Sequence, residues 1–464
     1  MSEAEIGLSI VILGIFLLAA HAFGYVFERL SQPRLIGEIL AGVFLGPFVL
    51  GKIASPGFTF LFTNPILGAD KTGLFLSLVY WLGLLLLMFI SGSEVQGLLS
   101  TSNRQETAWL LGIGKTLPFV LVIVIGLIGA IPVDSLIGVH GTKMSTLLVL
   151  ATAAAVTSIP VISRIFQDLG ILHTRFASLI LGTAMLEDVG LWGVLAIAIA
   201  LGNHQSSAGD GLIATNAYHI AVSFGYIAFA MLVAPRLLKS IRRFDDGAVS
   251  HAVSHHSLVT YAIALLCFFV GVAAGLGVST VFAAFLAGYA LINGIRDREK
   301  SALNGALQSI KAVAFGVFVP IYFAIVGYRL SFGNDFSGSM LLTFLLGSTL
   351  IVLMSVGLAA KLAGFRGLDI INLAIVANAR GGPGIVLASI AFDAGLISGA
   401  LCTTLVITAL FTSQLAGWWL RFVLSRGWPL LSTNPEEKAA DFSLPPSRPL
   451  LTPEFDFPRG ESRS

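Results

Sequence analysis

The sequence predicts an all-α polytopic membrane protein, with about 13 transmembrane helices in two inverted repeats that contain crossed discontinuous helices. Three observations carry this fold class. Of 464 residues, 56% are hydrophobic and 11% are charged; mean hydropathy is +0.90, unlike any water-soluble domain of this size. Apolar runs of about 20 residues, the length that crosses about 30 Å of hydrocarbon, follow one another nearly to the end. Lys and Arg are partitioned between alternate loops, as membrane orientation requires.

In order, the runs start near Ile6, Pro33, Gly73, Thr107, Met144, Phe176, Ala217, Leu258, Val278, Gln308, Gly338, Leu368 and Gly399. The first is too long for a signal-peptide core, follows an acidic start, and meets a second run almost at once, so it reads as an uncleaved span. One set of loops, from Arg29 to Arg366, holds fifteen Lys and Arg; the other holds Lys52, Lys71, Lys143 and Arg329. That bias places the N-terminus outside and the C-terminus in the cytoplasm. Net charge is +2, and no nucleic-acid partner is expected. Cys267 and Cys402 fall inside runs and have no metal-ligand spacing, so they read as small apolar fillers.

Domain organisation follows from composition. Residues 1–428 form one transmembrane domain. Residues 429–464 are rich in Pro, Ser and charge, and are predicted to be a disordered cytoplasmic tail. The cytoplasmic loop 250–257 holds His251, His255 and His256, which titrate near neutrality. The pattern does not suit a metal site without further ligands, and a solvated loop is the reading adopted.

The first six and last six runs form halves of opposite orientation around a seventh, the plan of many secondary transporters. Such carriers place their site where interrupted helices meet at the midplane, and both halves supply an interruption. Thr157, Ser158 and Pro160 break the fifth run, because proline removes a donor and clashes with the preceding turn. Asn378, Arg380, Gly381, Gly382 and Pro383 break the twelfth. Irregular backbone at this depth must be buried in protein or line a wet cavity.

Glu187 and Asp188 lie inside the apolar run FASLILGTAMLEDVGLWGVLAIAIAL. A mid-bilayer charge costs about 2.5–3.5 kcal/mol on insertion scales, so an adjacent pair marks a functional site. Neighbouring carboxylates do not both ionise cheaply and should trade protons with a neutralising cation. Asp188, Thr157 and Arg380 each lie about a dozen residues into their runs, about 17 Å deep and close to the bilayer centre.

Each polar residue also has a plainer reading. Thr157 and Ser158 either glue the backbone or bind the ion. Arg380 either neutralises the carbonyls of its own break or pairs with a carboxylate. Lys115 is read as snorkelling to the inner interface, with pairing to Glu187 as the alternative. Glu38 either complements a helix N-terminus or lines a cation access funnel.

Five stretches occur in order: PRLIGEILAGVFLGP, LGLLLLMFISGSEV, TSIPVISRIFQDLGILHTRFASLILGTAMLEDVGLW, FVPIYFAIVGYRL and NARGGPGIVLASIAFDAGLIS. Together they resemble the monovalent cation/proton antiporter superfamily, in the branch of plant cation/proton exchangers and bacterial sodium or potassium antiporters. The resemblance covers residues 6–424. It implies that Asp188 alternately holds a proton or a monovalent cation, with Thr157 and Ser158 beside it and Arg380 counterbalancing charge at the crossing. It also implies a homodimer with a moving core bundle. The family commonly has Asp-Asp in electrogenic members and Asn-Asp in electroneutral ones; here the pair is Glu-Asp.

The expected function is therefore exchange of Na⁺ or K⁺ for protons across a membrane such as the bacterial cytoplasmic membrane, with no cofactor and no enzymatic step. The binding group is Asp188, assisted by Glu187, Thr157 and Ser158, with Arg380 and Lys115 compensating charge. A lipid-group transferase would need its acids or histidines near an interface to hold a metal or phosphate, and these acids are at the midplane. A potassium-efflux channel on the same scaffold is the alternative; such relatives usually carry a cytosolic nucleotide-binding domain. Electroneutral exchange is favoured, with Glu187 held ionised by Arg380 or Lys115.

Overall fold

The computed structural model describes residues 2–30, 32–53, 71–94, 104–172, 174–203, 222, 225–244, 258–295, 300–333 and 336–431. Among these residues all regular structure is helical, apart from one isolated bridge between Ile137 and Ile397. The helices are α1 (Glu3–Arg29), α2 (Arg34–Leu45), α3 (Lys71–Glu94), α4 (Arg104–Gly112), α5 (Thr116–Leu127), α6 (Lys143–Ala155), α7 (Ile159–Asp168), α8 (Arg175–Asn203), α9 (Ala234–Phe244), α10 (Leu258–Leu276), α11 (Thr280–Gly294), α12 (Lys300–Val313), α13 (Val319–Tyr328), α14 (Gly338–Leu362), α15 (Leu368–Ala377), α16 (Gly381–Asp393) and α17 (Gly399–Ser425).

Among the described residues, nine helices or consecutive helix pairs are long and apolar enough to cross a bilayer, and α6 and α11 are shorter apolar helices. The second run is shorter than a full crossing: α2 has 12 residues. Pro47 disfavours helix at the residue before it, and Gly46 caps α2 in an extended conformation. The run expected from Ala217 begins outside the described residues, as does the loop with His251, His255 and His256.

Helix ends follow capping chemistry. Ser2 and Thr142 form capping boxes, and Ser279, Ser337 and Ser398 accept backbone N–H bonds at the starts of α11, α14 and α17. Internal prolines leave marks of a different kind. Pro320 cannot donate to the carbonyl of Gly316, the chain forms a π-turn at Ala314–Phe318, and His21 Nε2 bonds that carbonyl at 2.8 Å.

Close helix packing is set by glycine. A Cβ at Gly42 would overlap the Ala324 carbonyl oxygen, and one at Gly327 the Ile39 carbonyl oxygen, so α2 and α13 touch backbone to backbone. Gly92 and Gly288 do the same for α3 and α11, against the carbonyls of Phe285 and Phe89. Lipid removes the hydrophobic drive between helices, so contact through small residues is what holds such pairs together.

The packed chain runs past residue 429, where the tail was expected to begin. Leu430 and Leu431 are buried, and Asn372 of α15 donates to the Leu430 carbonyl at 3.0 Å while accepting from Trp419 Nε1 at 3.0 Å. The two leucines are apolar enough to extend the core, and Asn372 satisfies the Leu430 carbonyl. Residues 432–464 lie outside the described residues.

Candidate ion-binding site at the crossing of two broken helices

Both expected interruptions are present. The first separates α6 from α7 at 156–158, where Val156 is extended and the Ser158 hydroxyl caps α7 by accepting from Val161 N–H at 3.4 Å. The second separates α15 from α16 at 378–380. Gly381 opens α16 at φ +39, and a Cβ there would collide with the Ser158 side chain, so both conformation and packing require glycine. The breaks bond to each other: Ser158 N–H donates to the Ala379 carbonyl at 2.7 Å, and the Thr157 hydroxyl to the Ala377 carbonyl at 2.8 Å.

Lys115 sits at this crossing. It caps α5 from the turn that ends α4, and its ammonium is buried. It donates at 3.0 Å to the carbonyl of Ala155 and at 3.0 Å to that of Ala377, which end the half-helices α6 and α15, and it also bonds the Thr157 hydroxyl. Its fourth neighbour is Glu187 Oε2 at 3.0 Å. Two negative helix ends and a carboxylate thus surround one cation. The snorkelling expected of Lys115 does not occur, because these acceptors lie inside the protein and outweigh the interface.

Arg380 behaves otherwise than expected. Its backbone N–H donates to Thr412 Oγ1 at 3.3 Å, and its guanidinium donates to Ser348 Oγ at 2.9 Å and Asn378 Oδ1 at 3.3 Å, above the Phe344 ring. Nε and Nη1 have no partner among the described residues. It therefore pairs with neither a carboxylate nor the carbonyls of its own break: from the N-cap position of α16 its side chain is carried toward α14.

Glu187 and Asp188 lie midway along α8 and are both buried. Glu187 is neutralised by Lys115 through an ion pair rather than an aligned hydrogen bond. Asp188 has no cation, and its Oδ1 has no hydrogen-bond partner among the described residues. It faces a cavity of about 610 Å³ that reaches from Arg34, Arg164 and Glu94 at the Lys/Arg-rich end to Asp188, Trp192, Gly382 and Pro383. Ser158 and Thr157 lie at the crossing, where the Thr157 hydroxyl ties the two breaks and the Ser158 hydroxyl caps α7.

Sequence reasoning missed a further cluster. Asp393, at the end of α16, accepts from Tyr80 at 2.6 Å and from Arg329 at 2.5 Å, joining α16 to α3 and α13. The signal was present, since Arg329 is a rare cation in the sparsely charged set of loops, but its partner is 64 residues away.

Two broken helices crossing beside a buried carboxylate is the plan on which secondary transporters are built. The sodium/hydrogen exchanger transmembrane family matches residues 14–426, so the chain is a member of that family and an integral membrane protein. Cation/H(+) antiporter 17 of Arabidopsis thaliana is 27% identical over 89% of this chain and 48% of its own length. K(+)/H(+) antiporter 1 of Saccharomyces cerevisiae is 26% identical over 86% of this chain and 44% of its own length. The chain thus spans about half the length of these two relatives. The Na(+)/H(+)-K(+) antiporter GerN of Bacillus cereus is 25% identical over 87% of this chain and 93% of its own length. The solved structure of the sodium proton antiporter MjNhaP1 from Methanocaldococcus jannaschii shares the fold, with a TM-score of 0.59 and 16% identity over 91% of this chain and 99% of that one.

Proposed function

We propose that the protein exchanges a monovalent cation, Na⁺ or K⁺, for protons, with Asp188 as the carboxylate that holds either. The observation that carries this reading is that Asp188 is buried without a cation partner among the described residues, at the end of a cavity, while its neighbour Glu187 is already matched by Lys115. An ionised carboxylate in that position has one inexpensive way to be neutralised, which is to take a proton or a partly dehydrated cation from the cavity. The two compete, and only the neutralised site changes sides.

Charge bookkeeping favours electroneutral exchange. Glu187 with Lys115 is a closed pair, and Arg380 is a permanent cation. The crossing then bears the same charge whether Asp188 holds a proton or the metal ion, so a full cycle moves none. Thr157 and Ser158 shape the crossing and offer oxygen atoms beside it. The Lys/Arg-rich end is assigned to the cytoplasm, so that the cavity opens inward and the N-terminus lies outside.

Inverted repeats are supported by the glycine contacts. A two-fold relating the first six spans to the last six exchanges the α2–α13 contact with the α11–α3 contact, and each is built on one glycine from either side. The transmembrane antiporter domain is assigned to residues 1–428, and the functional unit is a homodimer. The test is dequenching of a pH-sensitive dye in proteoliposomes, driven separately by Na⁺, K⁺ and Li⁺. Asp188→Asn should be silent with every cation, and wild-type-like exchange by that variant rejects the reading.

A further inference from the structure

We propose that Glu38 is a second cation-holding carboxylate, a waiting site in the cavity that leads to Asp188; this rests on the exchange function proposed above. Glu38 is buried and lines the same cavity as Asp188. The helix N-terminus does not account for it. α2 begins at Arg34, which puts Glu38 in the second turn, beyond the reach of the free N–H groups and most of the dipole.

A paired cation does not account for it either. Arg34, four residues earlier, is the natural partner on one helix face, and its charge acts on Glu38, but no direct ion pair joins them among the described residues. Its Nη2 instead contacts His21 Nδ1 at 3.0 Å, and its Nε lies 3.8 Å from Glu28. The other charged groups lining the cavity are also engaged: Arg164 with Glu28 at 2.6 Å, and Glu94 with Lys311 at 2.7 Å. Five charged residues other than Asp188 and Glu38 therefore close on one another around the mouth. Glu38 and Asp188, from α2 and α8, are the two lining carboxylates without an ion pair among the described residues.

A buried carboxylate is costly unless matched, and what reaches this one from the cavity is a cation or a proton. An ion at Glu38 has already lost part of its hydration and exchanges onto Asp188 without returning to bulk water. Glu38 then sets the apparent affinity from the cavity side, and Asp188 sets turnover.

The test compares Glu38→Gln, Glu38→Asp and the parent in proteoliposomes, with Na⁺ and K⁺ added in turn to the side bearing Arg34 and Arg164. Glu38→Gln should raise the half-saturating cation concentration by about threefold to tenfold, as for one partly screened charge contact, with the maximal rate kept. Glu38→Asp should recover most of the affinity. The half-saturating concentration from the opposite side should not change. An unaltered half-saturating concentration, or an equal change from both sides, overturns the proposal. A fall in maximal rate to the level of Asp188→Asn also overturns it, because Glu38 would then belong to the exchange step. Exchange persisting in Asp188→Asn instead rejects the assignment of the exchange site. Where the parent exchanges neither ion, binding of radiolabelled sodium and rubidium to the purified full chain decides: equal binding by the parent and Glu38→Gln overturns the waiting site.

Discussion

Lys115 Nζ lies 3.0 Å from Glu187 Oε2, with both side chains buried, and the next residue, Asp188, has no such partner among the described residues. Two adjacent acids on one helix thus have different electrostatic fates. Consecutive helical residues point about 100° apart, so one reaches the crossing of the broken helices and the other the cavity. Lys115 also bonds the ends of α6 and α15, which makes it a structural tie as well as a counter-charge.

Breaking that pair should be costly. Lys115→Met leaves Glu187 buried and unmatched, and the expected loss is about 3–5 kcal/mol of stability. The double variant Lys115→Met/Glu187→Gln should recover part of it, since the buried charge is gone while the Ala155 carbonyl still lacks the ammonium and the Ala377 carbonyl keeps only the Thr157 hydroxyl. A double-mutant cycle on thermal unfolding in detergent measures the coupling, and additive effects would deny it.

Asp188→Asn should abolish cation-driven proton release and leave unfolding at or above the parental temperature. The amide neither ionises nor carries a proton, and no ion pair is lost by the change. A variant that fails to fold would mean that Asp188 has a structural partner.

Thr157→Ala and Ser158→Ala should both act on stability. Thr157 loses its bond to the Ala377 carbonyl, which Lys115 still serves, and Lys115 loses one acceptor, at a cost of about 0.5–1.5 kcal/mol. Ser158 loses the cap of α7, worth about 1 kcal/mol. The Ser158 N–H bond to Ala379 is untouched, so the crossing should survive in Ser158→Ala. Unfolding temperatures read beside half-saturating cation concentrations separate the two roles, and a change confined to cation affinity would make the hydroxyls ion ligands first.

Gly92→Ala should disrupt the α3–α11 contact, since the added Cβ meets the Phe285 carbonyl, whereas Gly14→Ala, with open space around it, should be tolerated. Expression and monodispersity by size-exclusion chromatography distinguish them. Equal behaviour would show that the two helices can part without loss.

On the proposed cycle an imposed membrane potential should leave the steady-state proton gradient unchanged, because Glu187 is paired with Lys115 and Asp188 alone would exchange. Electrogenic transport would respond strongly, since 100 mV is worth about 2.3 kcal/mol per charge. The measurement is a valinomycin-clamped potential in proteoliposomes, and a shifted gradient would return Glu187 to the titrating groups.

The amino-acid sequence by itself determined the helical membrane class, both helix breaks and the acidic pair. Each is a local property: apolar run length against bilayer thickness, proline and glycine within a run, and a carboxylate where hydrocarbon makes it costly. It also marked Arg380 and Lys115 as intramembrane cations, but not their partners. Only the tertiary structure decided that Lys115 turns inward to Glu187, that Arg380 is drawn to Ser348 and Asn378, and that Arg34 leaves Glu38 for His21. Those choices depend on which acceptors the folded chain brings within about 3 Å, and acceptors supplied by other helices leave no periodic trace along the chain.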